Sequence, residues 1–195
     1  MNKRQIQKRK TRDRIIKTAR EVFVDKGFLA ATTSEIAQQA DIAHGTLFLH
    51  FINKDNLIVN ILDNELEELN KIITKLIENA SNFENLLSGY LDFISQREDF
   101  FSVIARELPF YNPELRRKIL FREAMLRDYF YKTLEKEISE RNLVKTDVPS
   151  ALIFLFATIN HYLALKPIYV TKGSVIKVFR KKIISTFLFF LSKGA

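Results

Sequence analysis

The chain has 195 residues, of which 47% are hydrophobic and 12% aromatic, enough to fill one extended core or two small domains. It contains no cysteine, which excludes disulfides, thiol catalysis and cysteine metal sites, and fits a cytoplasmic protein. Its net charge of +8 is matched by residues 1–20 alone, where nine Lys and Arg stand against Asp13, so the remainder is neutral. Such a basic arm either neutralises DNA phosphates, releasing condensed counterions, or is a solvated tail. No apolar segment follows it, and no secretory signal is expected.

Taken in order, Ile15, Ala19, Val22 and Phe23 mark a first helix that stops at Lys26-Gly27, glycine being suited to a left-handed cap. Thr32 with Glu35 three residues on forms a capping box for a second helix bearing Ile36, Ala37 and Ala40. The chain must reverse around Asp41-Ile42-Ala43, and Asp is among the few non-glycine residues that enters left-handed geometry at modest cost. A third helix, about His44 to Phe51, turns Leu47 and Phe51 inward and leaves Gly45, Thr46, Phe48 and Leu49 facing out. Two short helices crossed by so tight a turn form a unit that places one helix in the major groove of DNA.

A long fourth helix follows, marked by Leu57, Ile58, Ile61, Leu62, Leu69, Ile72, Ile73, Leu76 and Ile77. A fifth starts after Asn82, a sixth spans Asp99 to Leu108 and ends at Pro109, and Asn112-Pro113 opens a seventh that runs to about Arg141. Asp147 with Pro149 opens an eighth, closed by Lys166-Pro167, and Ser174 caps a ninth running to Lys193 before Gly194. No segment alternates as a strand does. The pattern predicts an all-α protein of about nine helices, with a basic arm and helix-turn-helix DNA-binding domain over 1–56 and a helical effector-binding and dimerisation domain over 57–195.

From Arg12 to about Leu62 the chain resembles the DNA-binding domain of the TetR family of bacterial transcriptional regulators. The resemblance rests on F-V-D-K-G-F (Phe23 to Phe28), T-T-S-E-I-A (Thr32 to Ala37) and G-T-L-F-L-H-F-I-N-K-D-N-L (Gly45 to Leu57). It implies dimers that bind operator DNA and a variable helical domain that senses a small molecule. Three positions depart from the family pattern: Asp41 replaces a common turn glycine, Ala43 a common capping serine, and Phe48 a common phosphate-contacting tyrosine, whose hydroxyl it lacks. On the DNA-facing surface, His44, Gly45, Thr46, Phe48, Leu49 and His50 are expected to meet bases and backbone, with Thr33 and Lys54 on phosphates.

The eighth helix holds 18 uncharged residues between Asp147 and Lys166, near the lower limit for a membrane span. Pro149, Ser150, Thr158, Asn160 and His161 interrupt it, and polar groups in hydrocarbon need partners that it does not supply, so no membrane span is expected. A helix apolar on all sides must instead be covered by its own core and by a partner. Leu152, Leu155 and Ile159, with Phe179, Ile183 and Phe187 of the last helix, are the expected homodimer interface, a four-helix arrangement that the resemblance also implies.

Three dispersed histidines, His44, His50 and His161, make neither a metal site nor a catalytic set, and no enzyme activity, metal or cofactor is expected. Between residues 90 and 162 lie many aromatics, including Phe93, Phe100, Phe110, Tyr111 and Tyr162, which either pack a core or, as the resemblance implies, surround an effector cavity. Phe101, Phe121, Met125, Tyr129 and His161 are the expected cavity wall, with Arg106 as anchor, for a largely apolar effector. Glu107 and Asp128 either neutralise Arg106 and Arg122 or meet a cationic ligand. The resulting reading is a ligand-responsive repressor that binds a palindromic operator as a dimer. The alternatives are an effector-independent DNA-binding activator or organiser, or a helical lipid or membrane-surface binding protein.

Overall fold

A computed structural model describes residues 2–78, 82–141 and 147–191. Its helices are α1 (Lys3–Lys26), α2 (Thr33–Gln39), α3 (His44–Phe48), α4 (Lys54–Glu78), α5 (Phe83–Gln96), α6 (Glu98–Glu107), α7 (Pro113–Arg141), α8 (Val148–Ala164), α9 (Lys166–Tyr169) and α10 (Val175–Leu191). The protein is all-α, with no strand and ten α-helices among the described residues, close to the nine or so expected. The additional one is α9: Lys166-Pro167, expected to end a helix, opens a short one, because proline in a first turn lacks only an N–H that has no intrahelical partner. Pro109 likewise sits in a 3-10 turn, Leu108–Phe110. The third helix closes at Phe48 rather than Phe51. The side chains of Leu76 and Ile77, and Lys193-Gly194, lie outside the described residues. No helix among those described is long and apolar enough to cross a membrane.

The basic arm is helical. Asn2 caps α1 by accepting from the Arg4 N–H, and Gln5 Oε1 accepts from the Asn2 N–H, so the arm continues into the helix that carries Ile15 to Phe23.

The chain divides into two compact units, one of residues up to Leu66 with Glu107–Ile119, the other of Glu67–Arg106 with residues from Leu120 onward. The division falls within α4, ten residues beyond the expected boundary after residue 56, and residues 107–119 join the first unit. Both α4 and α7 contribute to each unit.

The first unit is built on Ile15, Ala19 and Phe23 of α1, Ile36 of α2, Leu47 of α3, Phe51, and Leu57 and Ile58 of α4, all at most 1% exposed. Burying each large side chain contributes about 1.5–3 kcal/mol. In the second unit Phe130 is the centre of an aromatic cluster, edge-on to Phe83, Tyr90 and Phe156 at 6.0, 5.4 and 5.2 Å, while Phe187 stacks on Phe83 at 5.4 Å. Helix α10 packs on α5 and α8. Its start is capped by a distant residue: the buried Glu98 of α6 accepts from the Val175 and Ile176 N–H groups at 2.9 and 3.1 Å and from the Ser174 hydroxyl. Lys166 Nζ, 3.1 Å away, balances its charge.

Gly27 ends α1 at φ 85° and ψ 155°, a region essentially reserved for glycine, and a Cβ there would lie 2.2 Å from Glu107 Oε1. Gly27→Ala is expected to lower stability by about 2 kcal/mol, read as a lower midpoint in urea at unchanged m value.

Candidate nucleic-acid interface

Helix α2 is fastened at its start. Thr32 Oγ1 accepts from the Glu35 N–H at 3.2 Å, and Glu35 accepts from the Thr32 N–H at 3.0 Å. The other Glu35 oxygen receives Lys26 Nζ at 2.5 Å, tying the end of α1 to the start of α2. Lys26 first, and then the Thr32 backbone and hydroxyl, hold the Glu35 carboxyl down at about 2, so this clasp is charged at neutral pH.

The reversal into α3 is made by Asp41 at φ 51°, with Asp41 N–H donating to Gln38 O and Ile42 N–H to Ala37 O, each at 3.1 Å. Asp substitutes here for the usual glycine because its short polar side chain tolerates left-handed backbone. Ala43 gives α3 no side-chain cap. A brace from α2 takes the place of one: Thr33 Oγ1 and Ser34 Oγ lie 3.0 and 3.4 Å from His44 Nε2, and the His44 ring meets Phe48 edge-on at 5.0 Å. Leu47 and Phe51, 0% and 1% exposed, root the helix in the core. Its outer surface carries Gly45, with open space where a Cβ would be, the half-buried Thr46, Phe48 at 45% exposure and Leu49 at 77%.

Several residues expected on DNA are thus engaged within the protein. Thr33, expected on phosphate, faces His44, whose Nε2 is directed back to α2. Lys54 Nζ lies over the Phe28 ring at 4.6 Å and donates to the carbonyls of Phe28, Leu29 and Ala31 at 2.8, 3.2 and 2.9 Å, which occupies all three of its protons. Burial lowers its pKa despite Asp55 and Glu107 nearby. His50 is half-buried with no hydrogen-bond partner at its buried Nδ1, and burial, then Lys8 and Arg12, depress its pKa, so it is neutral at pH 7. Gly45, Thr46, Phe48 and Leu49 remain as the outward surface of α3.

The segment after α6 supports this unit in a way the sequence did not disclose. Glu107 accepts from the Leu29 N–H at 3.0 Å beside Gly27. Tyr111, expected among the effector-domain aromatics, packs edge-on to Phe28 at 5.1 Å, and Asn112 Nδ2 donates to Asp55 at 2.5 Å. Arg12, from the basic arm, donates to Asn60 at 2.5 Å and lies over the Phe51 ring. The contacts between residues 107–112 and the first unit span some fifty to eighty positions, which no local spacing encodes.

In the second unit, the residues expected to wall an effector cavity do not share one environment. Phe101 is half-buried against Phe93 and Phe100, and Tyr129 is half-buried. Arg106 is exposed, Phe121 and Met125 are 65% and 58% exposed, and His161 Nε2 lies 2.8 Å from the Tyr169 hydroxyl. One polar group that the sequence reading passed over is Glu123, half-buried, paired with Arg127 at 2.8 Å and hydrogen-bonded to Asn160 of α8. Burial raises its pKa against the opposing effect of Arg127 and Asn160. The i,i+4 spacing of Glu123 and Arg127 was the available signal.

The residues expected at a dimer interface occur on the right helices but face inward. Leu152, Leu155, Ile159, Ile183 and Phe187 are at most 6% exposed within the single chain, and Phe179 stacks on Tyr162 at 4.4 Å. The outer faces of α8 and α10 present Phe154 and Phe190 at 73% and 69% exposure, bordering an apolar groove whose floor includes Leu155, Ile183 and Phe187.

A capped short helix, a tight left-handed reversal and a second helix rooted by two buried apolar residues, behind a basic helix, define a helix-turn-helix DNA-binding protein with an attached helical unit. Residues 15–61 match the model of the bacterial regulatory proteins of the tetR family. Over 117 residues, 58% of this chain, it is 30% identical to the fatty acid metabolism regulator protein of Bacillus subtilis (strain 168), a match spanning 60% of that relative's length. It is 26% identical over 144 residues to the uncharacterized HTH-type transcriptional regulator YvkB of the same organism, covering 71% of this chain and 72% of the relative. Among solved structures, the fatty acid degradation regulator FadR from Bacillus halodurans is similar with a TM-score of 0.75 at 21% identity, covering 91% of this chain and 94% of that one. FadR from Bacillus subtilis, solved in complex with stearoyl-CoA, gives 0.73 at 22% identity, covering 89% and 96%. The likeness to the tetR family is thus carried by residues 15–61, and the similar solved structures show that the chain has their fold.

Lys54 is accordingly a scaffold residue. Lys54→Met is expected to leave the three carbonyls without their donor and to lower stability by about 2 kcal/mol, measured by urea denaturation followed by circular dichroism.

Proposed function

We propose that the protein is a repressor that binds a palindromic operator as a homodimer and is released by a largely apolar, acyl-type effector. The observation that carries the DNA-binding part is the outward surface of α3, open at Gly45 and braced by His44, in the same unit as a helical arm whose charge equals the whole net charge. The effector part is supported by the aromatic interior of the second unit around Phe130, and by the name of the 30%-identical Bacillus subtilis relative. The polar end of such an effector would meet Glu123, Arg127 and Asn160 rather than the exposed Phe121 and Met125.

Because α4 and α7 each belong to both units, an effector that prefers one packing of the second unit biases the setting of the reading helices. A differential affinity of about 2 kcal/mol would release DNA about thirtyfold. The test is fluorescence anisotropy on the DNA flanking the protein's own gene, with and without stearoyl-CoA. Wild type is expected to bind one site and to lose it about thirtyfold on adding the acyl-CoA. Gly45→Glu is expected to abolish specific binding at an unchanged melting temperature, since nothing lies within 4 Å of a Cβ there. Binding unaffected by Gly45→Glu overturns the interface, and an unchanged affinity with stearoyl-CoA bound overturns the effector class.

Assembly is proposed through the outer faces of α8 and α10. Phe190→Glu, at a residue 69% exposed in the single chain, is expected to yield a folded monomer of about the chain mass, 22.8 kDa, in analytical ultracentrifugation. Phe187→Glu would instead place a charge in the core and lower stability.

A further inference from the structure

The stretch His44 to Ile52 contains no Arg, Lys, Asn, Gln, Asp or Glu. Those are the side chains that read guanine, adenine and cytosine edges through directed hydrogen bonds in the major groove. Its two imidazoles are already committed: His44 Nε2 is directed to Thr33 and Ser34, and His50 is half-buried with its Nδ1 in the interior. Of the flanking carboxamides, Asn53 Oδ1 accepts from the Asn56 N–H at the start of α4, and Gln38 and Gln39 belong to the end of α2, the helix that crosses the backbone in such units. What α3 does present is apolar. Leu49 stands 77% exposed and Phe48 45% exposed, the latter fixed in place by its edge-on contact with His44. Nine Lys and Arg lie in the first twenty residues of the same unit, so attraction to phosphate has its own source and α3 is left free to discriminate.

A major groove offers an apolar side chain one distinctive partner, the 5-methyl group of thymine, which no other base carries. We propose that this protein selects its site through thymine methyl groups packed against Phe48 and Leu49, with direct hydrogen-bond readout by α3 limited to Thr46. The inference rests on the DNA-binding reading above and names the chemistry of its specificity.

The experiment selects sites from a random duplex library with the full-length protein, then replaces each thymine of the strongest site by uracil, which removes only the methyl group. At one or two symmetric positions per half-site, uracil is expected to weaken binding about fourfold, the worth of one buried methyl. Leu49→Ala or Phe48→Ala is expected to bind thymine and uracil duplexes equally at the position each side chain covers. Both side chains are solvent-exposed, and an unchanged melting curve verifies the fold of each variant. A selected site that tolerates uracil at every thymine overturns the proposal, as does uracil sensitivity that survives in both variants. Enrichment of no sequence over bulk DNA overturns the specific DNA-binding reading itself, which separates the two failures.

Discussion

The helix-turn-helix depends on how the loop from Gly27 to Ala31 is satisfied. Five residues lead from α1 to the Thr32 cap of α2 there, and their polar backbone groups cannot all pair with one another. Lys54 takes three of the carbonyls and Glu107 one N–H, while the Phe28 ring lies under the ammonium and against Tyr111. An ammonium with three protons matches three converging carbonyls as no other side chain would. With the loop held, the Lys26–Glu35 clasp sets α2, α2 braces His44, and α3 takes one orientation.

This chain of dependence explains how a five-residue α3 is stable. So short a helix has almost no intrinsic stability in water, and it lacks a side-chain cap. Leu47 and Phe51 anchor it from below and His44 from the side, so its exposed face can carry Phe48 and Leu49 at no cost to the fold.

The second unit solves a different problem. A strongly apolar α8 has an inner face, Leu152, Leu155, Phe156 and Ile159, that meets the aromatic cluster, and an outer face, beginning at Phe154, that the single chain leaves exposed. Glu98 adds to the Ser174 cap of α10: the Ser174 hydroxyl accepts from the Lys177 N–H, a buried carboxylate on α6 satisfies two further amide groups, and Lys166 offsets the charge of its burial.

Local pattern alone was enough to read the helical class, the capping box at Thr32, the left-handed Asp41, the inward Leu47 and Phe51 and the family resemblance, because caps, turns and i,i+4 contacts join residues only a few positions apart. It also placed two-sided apolarity on α8. Which side of α8 meets its own core, however, was settled only when α5, α7 and α10 came together, and there the expected interface residues turned inward. The same holds for Lys54, whose spacing from Phe28 and Ala31 carries no periodic signal, and for Glu107, more than seventy positions from Leu29. A charged residue looks alike in sequence whether it waits for phosphate or closes a loop; the carbonyls that distinguish the two cases are assembled only by the tertiary fold.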